Sequence, residues 1–351
     1  MSAFAFDPLI GFAPQLAALS EGGAVSSDEA QVAFHAVLQA CRICQDIRAT
    51  LNDAGVAAKH GREPVTIADF ASQAAIVLAL SHAFPGARIM AEEAADTLRA
   101  HDGAHLRTEV VRHVQGVLPR VLEPEILEAI DGGQDQGGPG RFWTVDPIDG
   151  TKGFLRGDQY AVALALIKDG SVVLGVLGCP GLPFRRGDPN SGGTVFIAVQ
   201  GAGAYACALD GSAHGAIAAS TVDAPAGATL CESVEAAHVS HDDAARVTER
   251  LGVIRPPLRM DSQAKYAAVA RGDADLYLRF PSAPGKLERV WDHAAGAIIL
   301  KEAGGRVTDA TGATLDFTAG RMLARNLGVI ATNGRLHSQT IATVRSVIHH
   351  Q

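Results

Sequence analysis

Apolar residues recur at helical spacing from Phe34 through Val37, Leu38, Cys41, Cys44 and Ile47 to Leu51, behind a Ser26-Ser27-Asp28-Glu29 segment with capping-box chemistry. The pattern predicts one long amphipathic helix that stops before Gly55. A second helix is predicted from about Ile67-Ala68-Asp69 through Phe70, Ala74, Val77 and Leu78 to Pro85-Gly86. Residues 87–90 are short and strand-like and end at Glu92-Glu93. Residues 94–130 read as helical again, divided at Gly103 and Gly116, and the glycine-rich stretch 132–140 is predicted to be an exposed loop.

Beyond that loop the period changes to that of strands. Arg141 to Val145 reads as a strand; Tyr160–Ile167 and Ser171–Leu177 flank the hairpin signal Asp169-Gly170; Thr194–Val199 and Ala204–Leu209 flank Gly201-Ala202-Gly203. Successive strands joined by tight turns predict an antiparallel sheet. After Gly211–Pro225, short apolar runs alternate with helical patterns at Asp242–Leu251, Ser262–Ala270 and Trp291–Ala303, the texture of an α/β unit. The expected organisation is an α+β domain over 1–218 and an α/β domain over 219–351, since 351 residues exceed what one small core organises.

Composition narrows the class of partner. With 47% apolar and 19% charged residues the chain is an ordinary globular protein, and a formal charge of −8 repels a long polyanion, so no nucleic-acid partner is expected. No apolar run approaches the roughly 20 residues that span a bilayer, so no membrane partner is expected either. Five cysteines, an odd number without the spacing of a disulfide scaffold, suit a reducing compartment. Residues 1–25 contain no Lys or Arg and carry Asp7 and Glu21, which argues against a secretory or Arg-rich targeting segment. A cytoplasmic monomer acting on a small molecule is the expectation.

The candidate chemistry lies in Asp146-Pro147-Ile148-Asp149-Gly150-Thr151, directly after a strand. Pro147 disfavours helical geometry at Asp146. Two carboxylates in one turn can face a single point, the Ile148 carbonyl can add a third oxygen, and Gly150 permits close backbone approach. Thr151 would open a helix whose free N–H groups favour phosphate. Oxygen donors without nearby Cys or His suit Mg²⁺ better than zinc. Glu92-Glu93 and Asp292, in Trp291-Asp292-His293-Ala294-Ala295-Gly296, are further acidic sites, and clustered carboxylates make physical sense mainly around cations. A lone Asp-Pro-x-Asp-Gly is also a common turn and a Glu-Glu pair is usually solvated, so on spacing alone both readings stay open.

The longer motifs decide between them. Trp143 to Phe154, with Glu92-Glu93 and Trp291-Asp292, resembles the inositol-monophosphatase-like, lithium-sensitive phosphatases across most of the chain. Within that superfamily the chain is most similar to the 3'(2'),5'-bisphosphate nucleotidases, through Lys152-Gly153-Phe154-Leu155-Arg156-Gly157, Glu232-Ser233-Val234-Glu235, Ser240-His241-Asp242 and Asp261-Ser262-Gln263-Ala264-Lys265-Tyr266. The resemblance implies a layered αβαβα sugar-phosphatase-like fold, two or three Mg²⁺ ions, and hydrolysis of the 3'-phosphate of adenosine 3',5'-bisphosphate. It also implies lithium competition for one magnesium position.

Residue by residue, it implies metal ligands at Glu92, Asp146, Asp149 and Asp292 and at the Ile148 carbonyl, a water-activating pair Asp69 and Thr151, and substrate contacts at Gly150, Thr151, His241, Ser262, Lys265 and Arg279. Ala91 stands where relatives usually carry Gly, and residues 94–140 are longer than the resemblance leads one to expect. An inositol phosphate phosphatase with the same metals is the nearest alternative, separable by substrate profile. A nucleotide sensor without turnover is the alternative from another class, and it would require a damaged acidic cluster. Cys41-Arg42-Ile43-Cys44 lacks a second pair and reads as core, and Gly201-Ala202-Gly203 lacks the context of a dinucleotide loop.

Overall fold

Ser26 opens the first long helix, α1 (Ser27–Thr50), by the reciprocal bonds its sequence promised: the Glu29 amide donates to Ser26 Oγ at 3.2 Å and the Ser26 amide to Glu29 Oε2 at 2.8 Å. The computed structural model describes residues 16–348 apart from 18, 20–22, 51–55, 58–64, 235–240, 282 and 284. A short antiparallel pair, β1 (Val56–Ala57) and β2 (Val65–Thr66), leads into α2 (Ile67–Ala83), which is buried along nearly its whole first three turns. Then come β3 (Ile89–Ala91), α3 (Asp96–Arg99), α4 (Ala104–Val117) and α5 (Glu123–Asp131).

One expectation shifts in this region. Gly116 lies inside α4; the break follows at Pro119, which cannot donate, and the chain restarts where Glu125 accepts the Leu122 amide at 2.7 Å. The glycine-rich stretch 132–140 is the expected loop, with Gly132, Gln134, Gln136 and Pro139 exposed, but it is fastened. The Ala91 amide donates to the Gly133 carbonyl at 2.8 Å and the Asp135 amide to Ile89 at 3.0 Å, so the stretch is pinned to the open edge of β3.

Among the described residues, two larger sheets follow. The first is seven-stranded, ordered β3, β4 (Arg141–Asp149), β5 (Ala161–Lys168), β6 (Ser171–Cys179), β7 (Thr194–Val199), β8 (Gly203–Ala208) and β9 (His214–Ala216), with α6 (Thr151–Arg156) between β4 and β5. It is antiparallel throughout except that β3 runs parallel to β4, a pairing the sequence pattern did not reveal. The second is mixed: β10 (Leu230–Glu232), with α7 (His241–Leu251) after it, β11 (Leu258–Arg259), α8 (Ala264–Ala270), β12 (Leu276–Arg279), α9 (Ala294–Glu302), β13 (Arg306–Thr308), β14 (Val329–Thr332) and α10 (His337–Ile348).

Alternation within each strand makes five layers of this order. In β5, Val162, Leu164 and Leu166 pack against α1 and α2, while Ala161, Ala163 and Ala165 face α8 and α9. In β12, Tyr277 joins that same middle layer while Leu276 and Leu278 pack under α7 and α10. Helix, sheet, helix, sheet, helix is the αβαβα arrangement expected from the resemblance.

Small residues let α9 approach the first sheet closely. A Cβ on Gly175 would overlap Ile298 Cγ2 and the Ala295 carbonyl. Gly175→Ala is therefore expected to lower the unfolding free energy by roughly 1–3 kcal/mol, the usual cost of overpacking. A urea midpoint equal to that of the parent chain would show that α9 can withdraw without penalty. No helix among the described residues is long and apolar enough to cross a membrane.

Candidate active site

β3 and β4 run parallel and end side by side, which brings Glu92, just past β3, next to Asp146 and Asp149 at the end of β4. In a regular strand, residues three apart point to opposite faces. The register between β4 and β5 slips between Asp146, opposite Ala163, and Asp149, opposite Ala161, so one extra residue is accommodated there. Such a bulge re-aims the side chains that follow it, and Pro147, which has no N–H to place in the ladder, sits inside it. Gly150 then turns the chain with φ 89° into α6, passing so close to Ser262 that a Cβ would lie 3.1 Å from that side chain.

Asp292 arrives from the other side, immediately before α9. A cavity of about 320 Å³ is lined by Glu92, Asp146, Ile148, Asp149 and Asp292, and also by Gly150, Thr151, Ser262, Lys265 and Arg279. Asp69, near the start of α2, is buried and does not line it, yet its charge reaches both Glu92 and Asp146. Thr151 Oγ1 donates to the Ile148 carbonyl at 3.2 Å. The side chain of His241 lies outside the described residues.

Electrostatically the acidic wall is under tension. Burial, then the charges of Glu92, Asp149, Asp292 and Asp69, pushes the Asp146 carboxyl well above the ordinary carboxylate range. Glu92 is raised in the same way, by burial and then by Asp292, Asp69 and Glu93, although its carboxyl opens onto the cavity. Asp149 is raised by burial against the opposing charges of Lys265 and Arg279, and Asp292 is raised to about 6. Asp146 Oδ1 is buried with no hydrogen-bond partner. An orphaned oxygen among mutually repelling carboxylates, with a backbone carbonyl beside it, is a donor set that fits a hard divalent cation.

A second shell, silent in the sequence, holds this wall in place. Gln263 bridges its two halves: its amide donates to Asp149 Oδ2 at 2.6 Å, its side chain donates to the Trp291 carbonyl at 2.8 Å and accepts from the Gly296 amide at 3.0 Å. Behind Asp292, Tyr266 Oη meets His293 Nδ1 at 2.8 Å, His293 Nε2 meets Glu288 at 3.3 Å, and Arg279 bonds Glu288 at 2.6 Å and Asp292 at 3.4 Å. Burial would raise Glu288, but His293 and Arg279 outweigh it and hold the carboxyl well below its usual range. Glu288, Asp292 and His293 are close enough to bind one ion together, but Glu288 and His293 are committed to each other and to Arg279 and Tyr266, whereas Asp292 lines the cavity and, among the described residues, its carboxylate has only the longer Arg279 contact.

Basic side chains line the same cavity. Lys152, Lys286 and Arg289 join Lys265 and Arg279 around the cavity. Burial lowers the Lys265 pKa against the pull of Asp149, and its ammonium lies 5.3 Å from the centre of the Tyr277 ring. Carboxylates and cations around one cavity suit a metal-bridged anion carrying further negative charge.

Known proteins share this chain's pattern. A family model described as "Inositol monophosphatase family" matches residues 24–349. A 3'(2'),5'-bisphosphate nucleotidase of Oryza sativa is 44% identical over 341 residues, 92% of this chain and 95% of its own length. A 3'(2'),5'-bisphosphate nucleotidase of Emericella nidulans is 44% identical over 84% of this chain and 91% of its own length. Among solved structures, an IMPase of Thermotoga maritima superposes with a TM-score of 0.62 at 23% identity, covering 90% of this chain and 96% of that one. The extragenic suppressor protein suhB of Bartonella henselae does so with a TM-score of 0.62 at 21% identity, over 90% and 97%.

Proposed function

The chain belongs to the inositol monophosphatase family, and from that premise we propose that it is a Mg²⁺-dependent phosphatase removing the 3'-phosphate of adenosine 3',5'-bisphosphate to give AMP and inorganic phosphate. The observation that carries the reading is one cavity that gathers both kinds of charge, acidic at Glu92, Asp146, Asp149 and Asp292 and cationic at Lys152, Lys265, Arg279 and Lys286. The carboxylates suit metals and the basic side chains suit a second phosphate, and the relatives named above are called bisphosphate nucleotidases.

Glu92, Asp146, Asp149, Asp292 and the Ile148 carbonyl would hold the metal. Bound there, Mg²⁺ would supply positive charge to the reacting phosphate and make water more acidic. Asp69 and Thr151 would activate the attacking water, Thr151 orienting it with a hydroxyl aimed by its bond to Ile148 and the Asp69 carboxylate taking up its proton. Lys265 and Arg279 bind the nucleotide's remaining phosphate, and Ser262 and His241 position the nucleoside. The phosphosulfate analogue of the same nucleotide fits the same scheme.

A phosphate-release panel tests the proposal. With Mg²⁺ present, kcat/KM for adenosine 3',5'-bisphosphate is expected to exceed that for inositol 1-phosphate by about 100-fold or more, since losing a buried charged contact to the second phosphate costs at least 2–3 kcal/mol. Preferential hydrolysis of the inositol phosphate would overturn the substrate assignment, and release undiminished by a chelator would overturn the metal.

A further inference from the structure

Glu92 and Asp292 come from segments far apart in sequence and line one cavity. Two carboxylates that share a cation must be held at a set separation. Arg321 touches both segments that carry them. Its Nη2 donates at 2.6 Å to the carbonyl of Ala91, the residue before Glu92. Its guanidinium carbon lies 4.5 Å from the centre of the ring of Trp291, the residue before Asp292. Nη1 donates to the Asp135 carbonyl at 3.1 Å and the Gly133 carbonyl at 3.4 Å, which fastens the stretch covering β3.

The backbone around Arg321 is committed as well. The Val290 amide donates to the Arg321 carbonyl at 3.0 Å and the Leu323 amide to the Glu288 carbonyl at 2.8 Å, so the segment leading into Asp292 is paired with the segment carrying Arg321. Trp291 is 1% exposed, and its ring cannot slide without disturbing the middle layer. A planar fork of N–H donors can satisfy carbonyls in its own plane while its face lies on an indole, a combination lysine lacks.

We infer that Arg321 is a positioning residue for the metal site, fixing the separation of the Glu92 and Asp292 carboxylates and thereby the affinity for the divalent cation. The inference rests on the metal reading given above. Arg321 does not line the cavity, and its terminal donors are placed on the Ala91, Gly133 and Asp135 carbonyls. A purely structural arginine would pin the same carbonyls for stability alone, and Arg88 supplies the comparison. It holds the same stretch through Asp135, through the Gly137 carbonyl at 2.7 Å and through the Pro139 carbonyl at 2.8 Å.

The experiment measures Mg²⁺ binding by the full chain without substrate, from the rise of melting temperature with Mg²⁺ concentration, together with kcat and KM for adenosine 3',5'-bisphosphate at limiting and saturating Mg²⁺. Arg321→Met is expected to weaken Mg²⁺ binding by about 10–100-fold, the range for groups that orient metal ligands, with kcat recovering at saturating Mg²⁺ and KM little changed. Arg321→Lys should fall between the two. Arg88→Met should lower the melting temperature and leave Mg²⁺ affinity close to that of the parent chain. Unchanged Mg²⁺ affinity in the Arg321 variants, or an equal loss in Arg88→Met, would overturn the inference. If Arg321→Met does not fold, Arg321→Lys decides by the same criterion. A parent chain that binds no Mg²⁺ would sink the metal reading and this inference together, an outcome distinct from binding that ignores Arg321.

Discussion

Asp146→Asn is expected to lower phosphate release from adenosine 3',5'-bisphosphate by about 1000-fold while raising the melting temperature of the metal-free chain. The first half follows from removing one preorganised charge from a site whose chemistry is electrostatic, where single elements are worth about 100- to 1000-fold. The second half follows from the direction of its pKa. Burial and four neighbouring acidic groups all disfavour the ionised form, so its charge is a burden on the folded chain until a cation relieves it. Asparagine keeps the shape and removes the charge. Melting with and without Mg²⁺, beside a turnover assay, checks both halves. A variant that lost activity and melted lower without metal would show that Asp146 supports the fold rather than the site.

The second large effect is on how stability depends on pH, and it concerns Asp292. Its folded pKa of about 6 stands above the ordinary 3.8, so between those values the folded chain holds a proton that the unfolded chain has released. Stability from this group is fully present below about pH 4 and is lost as pH rises through about 6. Asp292→Asn is expected to stabilise the metal-free chain at pH 7.5 by roughly 1–3 kcal/mol, with the gain vanishing near pH 4. Saturating Mg²⁺ should reverse the ranking at pH 7.5, because only the parent chain can use that carboxylate as a ligand.

The variant must be compared with the parent at each pH, since His337 titrates in the same window with the opposite sign. Burial lowers His337 to about 4, where it bridges Thr308 and Thr332 at 3.0 and 3.1 Å, so its contribution is lost as pH falls from 6.5. Urea unfolding at several pH values reads the difference. A gain for Asp292→Asn that persisted at pH 4 would contradict the assigned shift.

Local features of the fold were legible because their causes are local. The Ser26–Glu29 cap, the hairpins at Asp169-Gly170 and Gly201-Ala202-Gly203, and the Asp146-Pro147-Ile148-Asp149 turn need only their own residues and immediate neighbours. Gly116 misled because a glycine near a helix end costs too little to break it, whereas Pro119 cannot be accommodated. The stretch 132–140 was legible as a loop but not as a fastened one, because its partners, the edge of β3 and the side chains of Arg88 and Arg321, lie outside its own sequence.

The sequence by itself determined which groups could do chemistry: hard oxygen donors in a turn that proline and glycine shape, and apolar runs that must be covered on both faces. The tertiary structure alone decided that these groups meet. Parallel pairing of β3 with β4 sets Glu92 beside Asp146, the bulge turns Asp149 toward them, Gln263 ties that turn to α9, and Arg321 ties Ala91 to Trp291. The physical reason is that propensity and periodicity act over a turn or a strand. The separation of two repelling carboxylates is set instead by backbone carbonyls and packed rings contributed from distant parts of the chain.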